Sequence, residues 1–235
     1  MSALGAAPAP DRPLRLGFVG LGWIGRNRMQ ALIDEGLAVP AVVLDSAPAA
    51  TDALHDLAPE AAIANSIEDL LTDDLDGVVI ATPNALHAEQ AVAALQRGLP
   101  VFCQKPLGRS APEVRQVLKA ARDADRLLGG DLSYRHAAGM RRIRELVQGG
   151  ALGNVFAAEL TFHNAYGPDK AWFYDRALSG GGALMDLGIH LVDLALWVLG
   201  ADRAAISAAH LRQAGARLTS RDCIEDYADA TLEVV

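Results

Sequence analysis

Leu14-Arg15-Leu16-Gly17-Phe18-Val19-Gly20-Leu21-Gly22-Trp23-Ile24-Gly25 is the stretch whose reading decides the fold. Leu14–Gly20 is a short apolar run of the kind that forms a buried parallel strand. It runs directly into Gly-x-Gly-x-x-Gly and then a helical segment from Ile24 to about Ile33. In that setting the first glycine permits a tight turn, the second lets backbone approach a pyrophosphate, and the third packs helix against strand. The anion rests at the helix N-terminus, where free N–H groups and the helix dipole favour negative charge. Gly20, Gly22, Trp23, Ile24 and Gly25 are therefore cofactor-binding candidates.

Outward from this turn, strand and helix signals alternate. Val39–Leu44 reads as a strand ending at Asp45, 20 residues after Gly25, where a carboxylate takes the adenosine ribose hydroxyls and repels a 2′-phosphate. No arginine follows closely, so NAD is expected over NADP. Ala61–Ala64 reads as a short strand, Ser66 as the cap of a helix, and Gly77–Ala81 as a strand. A helix from Asn84 to Arg97 is closed by Gly98, and Val101–Cys103 is a strand. Ser110-Ala111-Pro112-Glu113 is a capping box that opens a helix to about Ala124. Leu127–Tyr134 is the last strand of the series. Such alternation with right-handed crossovers gives a doubly wound parallel sheet, which binds ligands at the carboxyl ends of its strands.

Those strand ends carry the candidate chemistry. One reads Thr82-Pro83-Asn84-Ala85-Leu86-His87, with Asn84 able to cap the next helix and His87 expected to face the cofactor crevice. Another reads Cys103-Gln104-Lys105-Pro106, which sets a lysine where it can polarise or deprotonate a substrate hydroxyl.

Composition narrows the rest. The 235 residues are 51% hydrophobic, with 21 basic against 29 acidic side chains and a formal charge of −8. That balance argues against nucleic acid or an anionic membrane as partner. Two cysteines make neither a disulfide framework nor a zinc cluster. No apolar run reads as long enough to span a membrane, since His190 and Asp193 interrupt Leu187–Leu199. Residues 1–12 read as a floppy Ala/Pro-rich tail without a signal sequence, consistent with a cytoplasmic protein.

Downstream, Ala137–Gln148 is an amphipathic helix whose Arg141, Arg142 and Arg144 read as a solvated face. Val155–His163 alternates, with Phe156, Ala158, Leu160 and Phe162 opposite Glu159, Thr161 and His163, and is expected to be a strand covered on one face. The loop Asn164–Gly180 mixes aromatic and polar groups suited to a sugar pocket, with Tyr166 and Trp172 as substrate candidates. A triple glycine, Gly180–Gly182, then opens an apolar helix that carries Asp186, His190 and Asp193 at i, i+4 and i+7, with Trp197 in the same row. Three ligands on one helix meet a metal's geometry only partly, and no metal is expected. Glu225–Val235 alternates as a strand.

Four ordered motifs, GLGWIG, ATPNALH, QKP and GGGALMDLGIHLVD, resemble the Gfo/Idh/MocA family of oxidoreductases over about Leu14 to Val235. The resemblance implies a Rossmann domain (13–134), then a mixed α/β substrate and oligomerisation domain with an open-faced sheet (135–235). The second domain is expected to be incomplete, because family members run about a hundred residues further. It also implies NAD(P)-dependent hydride transfer at a carbinol carbon of a sugar, inositol or related polyol, in a homo-oligomer. A wall or lid role for Trp172 is a further implication of the resemblance. The family's Glu-Lys-Pro motif matches Lys105-Pro106, and its Asp-x-Gly-x-His motif matches Asp186 and His190. Lys105, Asp186 and His190 are thus the catalytic and substrate candidates, with His190 or Lys105 as the base. Gln104 departs from the family's glutamate and loses its charge. The rival reading is a catalytically silent NAD-binding regulator or scaffold of the same fold.

Overall fold

The computed structural model describes residues 11–47, 50, 54, 56–72, 74–220 and 223–234. The expected N-terminal tail lies largely outside them. The chain divides into two compact units, Met1–Leu107 with Ala111–Gly130, and Gly108–Ser110 with Asp131–Val235.

In the first unit, strands β1 (Leu14–Val19), β2 (Ala38–Leu44), β3 (Ala62–Ile63), β4 (Gly77–Ile80), β5 (Val101–Cys103) and β6 (Leu128–Gly130) form one parallel sheet. Its order is β3-β2-β1-β4-β5-β6, the doubly wound dinucleotide arrangement with its crossover point between β1 and β4. Helices α1 (Trp23–Asp34), α2 (Ile67–Leu70), α3 (Asn84–Gln96) and α4 (Ala111–Ala124) connect the strands. Successive strand residues feed opposite faces. Val78 and Ile80 join α3 and α4 in one apolar cluster, while Val79 joins Leu16, Phe18 and Met29 in another. Both faces are covered, which is why these strands read as continuous apolar runs rather than alternating ones.

Local signals account for several boundaries. Ser66 caps α2 by accepting the Asp69 N–H at 3.1 Å. Asn84 does not cap α3. It is the first helical residue and Pro83 occupies the cap, because a proline needs no N–H partner there and fixes the entry angle. The last strand is shorter than expected, ending at Gly130, and Ser133–His136 is a turn of 3₁₀ helix.

The second unit holds α5 (Ala138–Gln148), a 3₁₀ turn (Ala171–Tyr174), α6 (Arg176–Ser179), a π-helical turn (Leu184–Gly188) running into α7 (Ile189–Leu199), and strands β7 (Ala204–Gln213), β8 (Ala216–Arg217) and β9 (Tyr227–Val234). The strands form an antiparallel sheet ordered β8-β7-β9. Ala214 (φ 48°) and Gly215 (φ 80°) make the two-residue β7–β8 turn, whose left-handed backbone matches strand twist.

Two expectations fail here. Residues 155–163 join no ladder among the described residues, and Phe156 is 94% exposed. Alternation chooses the face a segment would bury, but a strand exists only where another backbone answers its N–H and C=O groups. By length and composition the helical stretch Arg176–Leu199 also passes as a membrane span, against the reading that no run is that long. It is interrupted: Gly180 ends α6 in the left-handed region (φ 81°), and Asp193 pairs with Arg135 beyond it.

Candidate functional site

The glycine turn is built by close approach. Gly20 has φ 87°, and a Cβ there would lie 2.5 Å from the Ala81 carbonyl carbon. A Cβ on Gly25 would lie 2.0 Å from the Gly20 oxygen, so α1 reaches the turn only because residue 25 has no side chain. Gly22 begins α1 without a side-chain cap, and the first turn carries no acid. This uncapped, unacidified N-terminus fits the diphosphate of a dinucleotide. Trp23, in the same first turn, is 73% exposed, and Ile24 is half-buried. Asp45 closes the turn from β2: one carboxylate oxygen accepts the Leu21 N–H at 2.6 Å and the other the Ala47 N–H at 2.8 Å. Its remaining lone pairs are those a ribose hydroxyl would meet.

At the β4 and β5 ends, backbone pairing carries past the strands. The Ala81 N–H bonds Val19 O at 2.7 Å, and the Gln104 N–H bonds Ile80 O at 2.8 Å. His87 does not open onto a crevice. It is 1% exposed, with Nε2 2.7 Å from the Thr82 carbonyl and Nδ1 2.7 Å from the Pro106 carbonyl. Its ring ties the Thr82-Pro83-Asn84 turn to the turn bearing Lys105. A neutral imidazole donates to one of those carbonyls at a time; the imidazolium would satisfy both. Burial opposes the charged form most, the Lys105 charge adds to it, and together they hold the His87 pKa below its ordinary value despite the two carbonyls. Thr82 Oγ1 donates to Gln90 Oε1 at 2.7 Å. Asn84 and Gln104 are buried, and Lys105, joined to Pro106 by a cis peptide, is half-buried.

The second unit carries Asp186 and His190. Gly182 and Leu184 donate their N–H groups to Oε1 of Glu225, both at 3.0 Å, and the Ala183 N–H bonds the Glu225 carbonyl at 2.9 Å. Glu225 is 4% exposed and so caps the helix start from a distant part of the chain. A Cβ on Gly182 would lie 1.9 Å from that carbonyl oxygen. Gly182 therefore serves close approach to Glu225. Asp186 sits within the π-helical turn, and His190 follows in the first turn of α7. The wider turn breaks the even i, i+4 register assumed for a uniform α-helix, as π turns near functional residues commonly do.

His190 is 5% exposed, and its ring stacks on Tyr134 with centroids 4.2 Å apart and planes 17° from parallel. Arg135 grips both oxygens of Asp193, and Arg144 lies 4.7 Å from the Trp197 ring centre while donating to Trp197 O. Arg144 is thus a packing residue, whereas Arg142 pairs with Glu145 on the exposed face. Trp172 stacks on Phe173 at 3.8 Å, and Tyr166 is 82% exposed. Lys105 belongs to the first unit; Asp186, His190, Tyr166 and Trp172 belong to the second. The supporting roles of Tyr134, Arg135 and Glu225 escape a sequence reading. The Ser-Tyr-Arg at the exit of β6 is their one local signal, and it states no partner.

Residues 14–131 match the oxidoreductase family with the NAD-binding Rossmann fold, and residues 140–234 match the GFO/IDH/MocA C-terminal domain. The chain is 37% identical over 149 residues to 1,5-anhydro-D-fructose reductase of Ensifer adhaerens, covering 62% of this chain and 44% of that protein. It is 29% identical over 213 residues to inositol 2-dehydrogenase of Salmonella typhimurium, covering 89% and 61%. The crystal structure of GenD2, from gentamicin A biosynthesis, in complex with NAD superposes with a TM-score of 0.82 at 27% identity, covering 95% of this chain and 63% of that one. The chain spans about half the length of the relatives it matches. With both of its units so matched, this chain belongs to the Gfo/Idh/MocA oxidoreductase family.

Proposed function

We propose that the protein transfers a hydride between NAD and a carbinol carbon of a sugar, inositol or related polyol. One observation carries the reading: Asp186 and His190 stand in a braced helical segment of the same chain whose glycine turn fits a dinucleotide diphosphate. When bound, NAD supplies the hydride acceptor at nicotinamide C4. The protein's own part is proton handling and orientation. His190 accepts the hydroxyl proton through a ring nitrogen, the usual role of an imidazole in general base catalysis. Lys105 donates a hydrogen bond to the reacting oxygen and stabilises its alkoxide character. Asp186 orients the imidazole or takes a neighbouring hydroxyl, and Asp45 favours NAD by repelling a 2′-phosphate. Exchange of roles, with Lys105 as base and His190 assisting, is the competing assignment within this mechanism. Kinship with sugar and inositol dehydrogenases supports the substrate class.

Nicotinamide absorbance, followed with NAD and NADP separately across a panel of sugars and polyols, tests the proposal. Turnover with NAD is expected, and His190→Ala should lower it at least about a hundredfold with NAD affinity nearly unchanged. Wild-type turnover in that variant would remove His190 from the chemistry. Gln104 supports a second reading, a silent cofactor-binding protein, because a buried amide replaces the family's carboxylate beside Lys105. NAD binding without turnover on any of the panel would favour it.

A further inference from the structure

The 3₁₀ turn Ser133–His136 delivers two adjacent side chains onto α7. Tyr134 lays its ring on His190, and Arg135 forks onto Asp193, with Nε 2.7 Å from Oδ2 and Nη2 bonded to Oδ1. Asp193 lies three residues beyond His190, a spacing that puts both on neighbouring parts of one helix surface. Tyr134 also stacks with Phe162, centroids 6.2 Å apart and planes within 7° of parallel. Tyr134 thus contacts two rings, the buried His190 and the more exposed Phe162. An imidazole's second side-chain torsion is broad and roughly two-fold, so the backbone alone does not set its plane. A near-parallel ring at stacking distance does, and the guanidinium–carboxylate fork fixes the rotation of the helix that carries it.

From this geometry we infer that Tyr134 is a positioning residue for His190, with Phe162 stacked against it and the Arg135–Asp193 pair locking the helix. The inference rests on the hydride-transfer reading above, in which His190 must meet a hydroxyl proton along one direction. Neither Tyr134 nor Phe162 needs to touch substrate for this role. Residues 155–163, which find no strand partner among those described, thereby contribute a wedge rather than a ladder.

The test uses the full chain and two readouts. In proton NMR of the protein without cofactor, the His190 ring resonances, assigned by their loss in His190→Ala, should lie upfield because Tyr134 shields them. Tyr134→Phe should leave them in place, and Tyr134→Leu should move them downfield. Phe162→Leu, at a half-exposed position outside helix and strand, should move them the same way by less; it also serves if Tyr134→Leu does not fold. In kinetics, Tyr134→Leu should lower kcat about ten- to hundredfold, as small misplacements of a catalytic group do, with NAD affinity held and Tyr134→Phe restoring the rate. Unmoved resonances in both the Tyr134→Leu and Phe162→Leu proteins would overturn the inference. So would wild-type kcat in Tyr134→Leu beside an inactive His190→Ala protein, an outcome that leaves the hydride-transfer reading standing. Wild-type turnover in His190→Ala would instead remove His190 from the chemistry, and with it the premise on which the inference rests, while hydride transfer itself stood.

Discussion

The two units hold their shape by different means. Among the described residues, the buried apolar side chains run from Leu16 to Ala121 in the first unit, with Leu194 alone in the second. The second unit instead buries Asp131, Ser179, His190 and Glu225. Its candidate residues stand on the Glu225 cap, the Arg135–Asp193 fork and a ring stack. A core spreads its stabilisation over many weak contacts, whereas a polar brace concentrates it in a few bonds whose loss leaves a buried group unsatisfied. The first unit should therefore respond to changes of volume, and the second to changes of a single polar atom.

Matched glycine substitutions give the largest test. Gly25→Ala forces a Cβ onto the Gly20 carbonyl, and Gly182→Ala forces one onto the Glu225 carbonyl, both backbone atoms with little room to yield. The first should weaken NAD binding at least about a hundredfold, since the turn that faces the diphosphate moves. The second should abolish turnover while nicotinamide fluorescence still reports near-normal NAD affinity. Equal loss of NAD binding in both would erase the distinction between the units.

Stability measurements come next in size. Leu95→Ala removes a fully buried side chain from the first unit and should cost about 2–5 kcal/mol in urea unfolding. Ile206→Ala, at an exposed position on β7, should change stability by less than about 0.5 kcal/mol. Glu225→Gln keeps the shape and an acceptor oxygen but loses the charge that serves two N–H groups. It should destabilise the second unit by about 1–3 kcal/mol and lower kcat with it. A neutral outcome there, with a strong one at Ile206, would invert the comparison.

The same contrast decides what could be read from sequence. In the first unit, Leu14–Val19, Gly77–Ile80 and Val101–Cys103 announce themselves because a strand covered on both faces must be apolar throughout, and glycine or proline marks each end. The glycine turn and Asp45 follow from that frame. Residues 155–163 carry an equally clean alternation, yet pairing is a property of two segments and no single segment encodes it. Conversely, β7 and β8 lack strong alternation and escape a reading of the sequence; the Ala214-Gly215 turn between them is the local signal that could have found them. At the site, Asp186 and His190 could be picked out by type and spacing, but the π turn, the stack on Tyr134 and the Glu225 cap depend on contacts across 40 to 60 residues of chain. His87 shows the limit most plainly: a histidine in a first helical turn can face solvent, a ligand or a neighbouring loop, and only the fold chooses the loops.

His87 also gives the smallest effect and the one whose sign is most informative. The unfolded chain takes up a proton on this ring near the ordinary value of 6.5, while burial delays the same uptake in the folded protein to lower pH. Between those two points the unfolded state binds more protons, so stability should fall as pH drops below about 6.5 and should be fully present above it. The Arg12 guanidinium beside Asp76, and the Thr72 hydroxyl with Arg15 beside Asp74, hold those carboxyls below the usual carboxylate range. Their contributions fade only in stronger acid, leaving the His87 window clear. Urea midpoints from about pH 7.5 to pH 5 should decline for the wild type and stay flatter for His87→Gln, which keeps one amide donor but does not titrate in this range. A wild-type chain that instead gained stability on acidification, relative to His87→Gln, would mean that the ring is held as an imidazolium donating to the Thr82 and Pro106 carbonyls together. The two hydrogen bonds would then outweigh burial, and the turn bearing Lys105 would be pinned more firmly in acid than at neutrality.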